Sequence, residues 1–441
     1  MASAFLQCID CGKKFPINEK RYNCDCKDLL DVRYEFGSLN AEDLKAEFLE
    51  RKKSNALMNV SGVWRFRELL PFMENLENVV SMPEGNTPIF QGERSKKYAG
   101  VKHLSFKHQG LNPTGSFKDN GMTAAVSKAK ELGVKTVICA STGNTSASMA
   151  AYAAKAGMKA VVLIPKGQIA FGKLSQSLDY GAETLQVDGD FDEAMELVQE
   201  LALEEGIYLM NSINPFRLEG QKAIMIELMQ QRDWKAPDRI VVPGGNLGNS
   251  SAFGKGLKEL YDLGFIEKLP MVTIIQATGA DPLYRTLVTS AKKLVPVKAH
   301  TLATAIKIGN PINWRKAVRA MDYTKGWCEE VSEQEIADAK AVIGSDGIGC
   351  EPASSTTLAG IKKLAGSEIS ADEDIVAILT GNLLKDPDYT INYHLNSLFE
   401  EPEVREIRAK KGKGKINPKF ANPPKKVKAT MQDLKKALGL A

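Results

Sequence analysis

Three groups of residues in this chain could do chemistry. The first is a single lysine, Lys118, in the stretch "NPTGSFKDNG", which follows a Gly-Ser-Phe turn and opens a helical pattern. A lone lysine is ordinarily a solvated charge. One that is partly desolvated gives up its proton and can then form a Schiff base with a carbonyl compound. The second group is three loops rich in glycine and hydroxyl residues: "ASTGNTSAS" from Ala140, "PGGNLGNSSAFGKG" from Pro243, and "LTGNLLKD" with Thr380 at its start. The middle loop lacks the closing GKS or GKT of a P-loop and the spacing of GxGxxG, yet Gly244, Gly245 and Gly248 let backbone approach a ligand closely. The third group is Cys8, Cys11, Cys24 and Cys26, arranged as "CIDC", 12 residues, then "CDC". Paired cysteines at this spacing suit a structural zinc ribbon, although the usual second half is CxxC and here it is the tighter CxC. Free thiols are the alternative.

The elements that must position these groups alternate. Short apolar runs read as strands: "VKTVICA", "KAVVLIP", "ETLQVDG", "IYLMNS", "RIVVPGG", "MVTIIQAT" and "IVAILTG". Helical patterns lie between them, including "MAAYAAKAG", "KLSQSLDYG", "DEAMELVQELALEEG" and "EGQKAIMIELMQQ", after an earlier helix in "LNAEDLKAEFLERKKS". "PEGNTPIF" reads as a loop. This alternation marks βαβ units and mostly parallel sheets covered on both faces, an α/β fold. In such folds ligands bind at the carboxyl ends of the strands, which is where all three loops fall. Backbone N–H groups at a helix start attract anions. A lysine able to form an imine beside a phosphate cradle meets the needs of pyridoxal phosphate.

Composition bounds the rest. A chain of 441 residues with 43% hydrophobic content holds two or three domains at ~150 residues each. It has no run of about 20 apolar residues, and "MASAFLQCIDCGKKF" lacks an apolar leader, so a cytoplasmic protein is expected. The net charge of +4 is uneven: from Val404 onward there are 12 Lys/Arg against 2 Asp/Glu, or +10, leaving about −6 for the body. The basic stretch reads as an extended arm ending in a short helix capped by Thr430, not as a nucleic-acid site. Seven cysteines, an odd number, argue against a disulfide framework. Cys139, Cys328 and Cys350 read as buried small hydrophobes. His103 and His108 read as structural.

Eight stretches carry a resemblance, in order from about Glu84 to Asp386: "EGNTPIF", "NPTGSFKDNGM", "STGNTSASMAAYAAKAG", "NSINPFRLEGQKA", "GGNLGNSSAFGKG", "AIKIGNPINWRKA", "DGIGCEPASSTTLAG" and "LTGNLLKD". On these the chain resembles the threonine synthases, within the fold type II, tryptophan-synthase-β-like pyridoxal-phosphate enzymes. The resemblance implies two open, mostly parallel α/β domains with a small N-terminal zinc-ribbon-like appendage. The divisions it implies are an appendage over 1–30, a large cofactor-binding domain from 31–118 and 225–402, a small domain over 119–224 and a basic tail over 403–441. It implies that Lys118 holds pyridoxal phosphate and acts as the base, that Asn144 meets the cofactor's 3′-oxygen, and that Gly245, Asn246, Leu247, Gly248 and Asn249 cradle its phosphate. Thr380 is implied to face the ring nitrogen. Ser141, Thr142 and Thr145 are implied to hold the substrate carboxylate. Lys173, Asn211, Ser212 and Arg217 are implied to hold the substrate phosphate, that of O-phosphohomoserine. A homodimer is implied as well. Where relatives carry Arg or Leu after "FKD", this chain has Asn120. A related activity, cysteate synthase with phosphoserine and sulfite, needs the same phosphate pocket. Dehydratases of the fold have no use for Lys173 and Arg217. A zinc-ribbon nucleic-acid binder is a further alternative, against which stand Lys118, Asn144 and the glycine loop together.

Overall fold

Strands that are apolar on both faces need cover on both faces, and the sheets here have it. The computed structural model describes residues 3–141, 143–165, 171–188, 197–198, 200–201, 206–398 and 418–440. Its N-terminal sheet is antiparallel, with β1 (Ser3–Cys8) between β2 (Lys14–Pro16) and β3 (Leu30–Glu35). The largest sheet contains β4 (Ile89–Gln91), β5 (His103–His108), β10 (Arg239–Pro243), β11 (Met271–Ala277), β12 (Trp327–Val331) and β13 (Asp374–Leu379). Its order is β12-β11-β10-β13-β5-β4, parallel throughout except for β4 at one edge. The second sheet contains β6 (Thr136–Ala140), β7 (Lys159–Pro165), β8 (Glu183–Val187) and β9 (Tyr208–Leu209) in the order β8-β7-β6-β9, all parallel.

Alternation along the central strands builds two cores. Ile240, Val242, Val376 and Ile378 face one layer, with the Pro215–Gln231 and Gly248–Asp262 helices. Val241, Ile375, Ala377 and Leu379 face the other, with the Glu333–Ser345 and Pro352–Leu364 helices. A separate core around Val137, Val162 and Leu209 surrounds the four-stranded sheet.

The expected elements form, with two differences. "PIF" does not stay a loop: Ile89–Gln91 becomes β4, because Phe90 pairs opposite Phe106 across an antiparallel edge that no local pattern announces. The hydroxyl-rich loops are shorter than they read, since their second halves are already the first turns of helices beginning at Asn144 and Gly248. The helix read in "DEAMELVQELALEEG" lies largely outside the described residues. Thr430 caps the terminal helix (Met431–Leu438) as expected. Among the described residues, no helix is long and apolar enough to cross a membrane.

The N-terminal sheet is docked on both larger units. The Tyr22 hydroxyl accepts from the Leu209 N–H at 2.7 Å, at the end of β9. On the other side, Lys316 Nζ donates to the Leu30 carbonyl at 2.7 Å and pairs with buried Asp31 at 3.0 Å, while Arg319 reaches Asp31 at 2.5 Å. Arg315 of the same helix (Trp314–Thr324) pairs with Asp10 and Asp28.

Candidate active site

Every loop singled out by its chemistry follows the carboxyl end of a parallel strand: β5 leads to Lys118, β6 to Ser141 and Asn144, β9 to Asn211, β10 to the glycine loop and β13 to Thr380. Lys118 is the first residue of its helix (Lys118–Glu131). The turn before it is pinned on two sides. The Phe117 N–H donates to the Thr380 carbonyl at 3.0 Å, and the Asn382 N–H to the Gly115 carbonyl at 2.9 Å. Buried Asp119 accepts from the Thr114 N–H at 2.7 Å, the Thr114 hydroxyl at 2.6 Å and the Ser148 hydroxyl at 2.5 Å. Burial pushes the Asp119 carboxyl up to about 6.

Arg217 is brought beside Lys118 by a close crossing of the Lys118 and Pro215–Gln231 helices. Gly220 permits it, since a Cβ there would lie 1.9 Å from the Asn120 carbonyl oxygen. Burial, followed by the Arg217 guanidinium, lowers the Lys118 pKa from 10.5 to about 7, with the Glu351 carboxylate opposing. The amine expected from the sequence therefore exists near neutral pH. Arg217 itself is 1% exposed. Its Nη1 donates to the Met210 carbonyl at 2.7 Å, while Nε and Nη2 have no protein partner.

The glycine loop turns into its helix through Leu247, a buried non-glycine residue with φ +61°. Such left-handed strain persists where surroundings enforce it and clusters at ligand sites. The first N–H groups of the helix it caps have no acceptor within the helix. Around this turn both amide atoms of Asn249, the Ser250 hydroxyl, the Gln221 Oε1 and the Asn313 Oδ1 are buried without protein partners. Buried polar atoms are nearly always paired; of these, the Asn249 Nδ2 and the Ser250 hydroxyl are donors at a helix start and fit an anionic group such as a phosphate.

The other expected residues fall nearby. Asn144 Nδ2 donates to Glu351 at 2.8 Å, and the Thr380 hydroxyl to the other oxygen of the same carboxylate at 2.9 Å. The Ser141 hydroxyl accepts from the Gly143 N–H at 3.2 Å, with Thr145 in the first turn of the adjoining helix. Asn246 joins the glycine loop to the loop after β9: its Nδ2 donates to the Ser212 hydroxyl at 2.9 Å, and its Oδ1 accepts from the Ile312 N–H at 2.7 Å. The Asn211 amide is occupied by the Ala140 N–H and carbonyl, at 3.1 and 3.0 Å, so it braces the two loops together. Thr142 lies outside the described residues, as does the side chain of Lys173, whose backbone belongs to the Phe171–Asp179 helix.

Sequence reasoning missed Glu351, Ser354, Gln221 and Asn313. Glu351 precedes a proline at a helix start and so reads as an ordinary helix boundary. Gln221 and Asn313 sit inside stretches quoted for the resemblance but carry no spacing signal of their own.

In the appendage, the Cys8–Cys26 and Cys11–Cys24 sulfurs are 3.5 Å apart and Cys11–Cys26 3.7 Å, with all four within 4.8 Å of one another. Thiolates ~2.3 Å from a tetrahedral zinc would stand ~3.8 Å apart, so the cluster fits one such ion. Cys139, Cys328 and Cys350 are buried, as expected.

Comparison with known proteins agrees with this geometry. The pyridoxal-phosphate dependent enzyme family matches residues 80–381. A threonine synthase of Methanocaldococcus jannaschii is 47% identical over 388 residues, covering 87% of this chain and 94% of its own. One from Methanosarcina acetivorans is 45% identical over 403 residues, covering 90% and 95%. The crystal structure of threonine synthase from Escherichia coli shares the fold, with a TM-score of 0.67 at 17% identity over 100% of this chain and 99% of that one. With the lysine, the glycine cradle and the family match coinciding, the chain belongs to the pyridoxal-phosphate dependent enzymes, among the threonine synthases.

Proposed function

We propose that this chain converts O-phospho-L-homoserine and water into L-threonine and phosphate. The observation that carries the reading is Arg217, a buried guanidinium with two unpartnered nitrogens beside a lysine whose pKa burial brings down to about 7. A fixed fork of donors suits a phosphate dianion. The names carried by the relatives favour this reading over phosphoserine and sulfite.

The two larger sheets support reading 225–402, with the stretch from β4 to Lys118, as the cofactor domain and 119–224 as the smaller one, while β3 carries the appendage past the expected residue 30 to Glu35. Pyridoxal phosphate, when bound, supplies an electron sink for charge developing on the substrate's carbon chain. Lys118 would hold it covalently, Asn144 would take its 3′-oxygen, Thr380 would face its ring nitrogen, and Gly245 to Asn249 would take its phosphate. Ser141, Thr142 and Thr145 bind the substrate carboxylate, and Arg217, Lys173 and Ser212 bind its phosphate, with Asn211 bracing their loop. The Lys118 amine would move protons at Cα and Cβ of the substrate. The electron pair of the Cγ–O bond leaves with phosphate, Cγ gains a proton, and the oxygen of water bonds to Cβ. The four cysteines hold one structural zinc. The setting is cytoplasmic, and a homodimer is expected by family likeness.

Turnover with O-phosphohomoserine, set beside phosphoserine plus sulfite, tests the reaction. Arg217→Ala keeps its cofactor and loses roughly 30- to 1,000-fold in kcat/KM, the equivalent of ~2–4 kcal/mol for one lost set of buried charged contacts. Loss of cofactor with normal turnover in the remaining holoenzyme would move Arg217 to the cofactor site.

A further inference from the structure

Glu351 lies at the start of the Pro352–Leu364 helix and is 1% exposed. No role was expected for it. Its carboxylate accepts from one side chain beyond each of the two larger sheets: Asn144, which follows β6, and Thr380, which follows β13. These two side chains are the ones read as contacting the cofactor ring. The inference rests on that reading.

The hydrogen bonds around Glu351 have a forced direction. The Ser354 hydroxyl accepts from the Thr380 N–H at 2.8 Å and the Gly381 N–H at 3.2 Å, which uses both its lone pairs. Its own proton must therefore go to the Thr380 oxygen, 3.0 Å away. The Thr380 proton in turn goes to Glu351 at 2.9 Å. An ionised carboxylate only accepts, so the atom Asn144 presents to it is its nitrogen, which leaves the second N–H of the same NH2 group for a ligand oxygen. Space for the carboxylate depends on Gly381. A Cβ at that position would lie 2.3–2.6 Å from the three Glu351 carboxyl atoms. The Glu351 N–H is tied to the Gly381 carbonyl at 3.0 Å, so backbone and side chain are held from one residue.

We propose that Glu351 is a positioning residue for the cofactor ring: it fixes the Asn144 amide with its nitrogen toward the ring and joins the two sheets across the ring site. It acts through Asn144 and Thr380 and does not itself touch the reacting atoms.

Glu351→Gln tests this with little change of shape. A glutamine can accept from only one of its two neighbours with its oxygen, and its NH2 group confronts the other as donor against donor. Measured by equilibrium titration of the cofactor-free chain with pyridoxal phosphate, the dissociation constant rises roughly 10- to 100-fold, as for a lost charge-assisted hydrogen bond. The absorption maximum of the bound cofactor shifts, and kcat falls more than KM rises. In an Asn144→Ala background the same substitution adds much less, because the side chain it acts through is gone. Gly381→Ala, which displaces the carboxylate without altering its charge, reproduces the loss of affinity and serves as the readout if Glu351→Gln fails to fold. Wild-type affinity and an unchanged absorption maximum in the folded variants would overturn the proposal. So would full additivity with Asn144→Ala. If Asn144→Ala alone leaves cofactor binding untouched, the ring-site reading fails, a result distinct from failure of Glu351 alone.

Discussion

Replacing Arg217 by methionine removes one of the two influences that keep the Lys118 amine neutral. In the intact chain burial and Arg217 bring that amine from 10.5 to about 7. At pH 7 roughly half of it is then unprotonated, whereas a lysine left at 10.5 would be unprotonated in roughly one molecule in 3,000. Only the unprotonated amine attacks an aldehyde. Mixing cofactor-free chain with pyridoxal phosphate across pH 5.5 to 10, and following the imine absorbance, reads that fraction as a rate. The intact chain should capture the cofactor with a midpoint near pH 7 and a plateau above it. In Arg217→Met the burial remains and the neighbouring cation does not, so the midpoint moves upward. The first unit of that movement slows capture at pH 7 by about fivefold and each further unit by about tenfold, while the high-pH plateau stays equal. The equal plateau separates titration from damage to the site. A midpoint near 10 in the intact chain, or an unmoved midpoint in the variant, would refute the reasoning.

Emission spectroscopy of the purified chain should find about one zinc per molecule, and Cys8→Ser with Cys11→Ser should abolish it and lower the melting temperature by more than about 5 °C. Asp31→Asn strips the shared anion from Lys316 and Arg319, and should cost about 3–5 kcal/mol in urea unfolding, as breaking a buried ion cluster does. Burial alone would raise the Asp31 carboxyl, but Lys316, Arg319 and Lys255 outweigh it and hold the group well below the carboxylate range. Its stabilisation is therefore present above the unfolded value near 3.9 and lost as pH falls below it, so acid unfolding of Asp31→Asn should lack that component. Asp119→Ala leaves three donors around the Lys118 turn without their acceptor, and should slow cofactor capture at its plateau.

What could be read from the sequence was what is local. Lys118 sits at a helix start because "GSFKDN" changes from turn to helical pattern within a few residues, and the glycine loop announces itself by three glycines after an apolar run. The parallel sheets follow from strands apolar on both faces. Glu351 could not be read, because its partners Asn144 and Thr380 lie 207 and 29 residues away and neither spacing repeats. The unpartnered atoms of Gln221 and Asn313 depend on helix packing and not on any pattern. Asn211 was expected on the substrate phosphate, but its amide turns back onto Ala140, a pairing that no local pattern announces. β4 escaped because three residues are too few to show a period, and only the pairing of Phe90 with Phe106 makes them a strand.

The docking of the N-terminal sheet also sets an order of events during synthesis. Asp28 and Asp31 meet Arg315 and Arg319 across separations of 287 and 288 residues. A ribosome adding ~5–20 residues per second delivers that helix roughly 15–60 s after the ribbon has emerged. The four cysteines span only Cys8 to Cys26, so a metal can close that unit from local contacts alone, long before the Trp314 helix exists. Through that interval Asp31 lacks its cations Lys316 and Arg319, although Leu30 and Val32 can already pack on Trp64 and Phe72. The first part of the chain to acquire structure thus completes its ion pairs late, when the Trp314 helix arrives and is clasped through it to the β9 end of the other sheet.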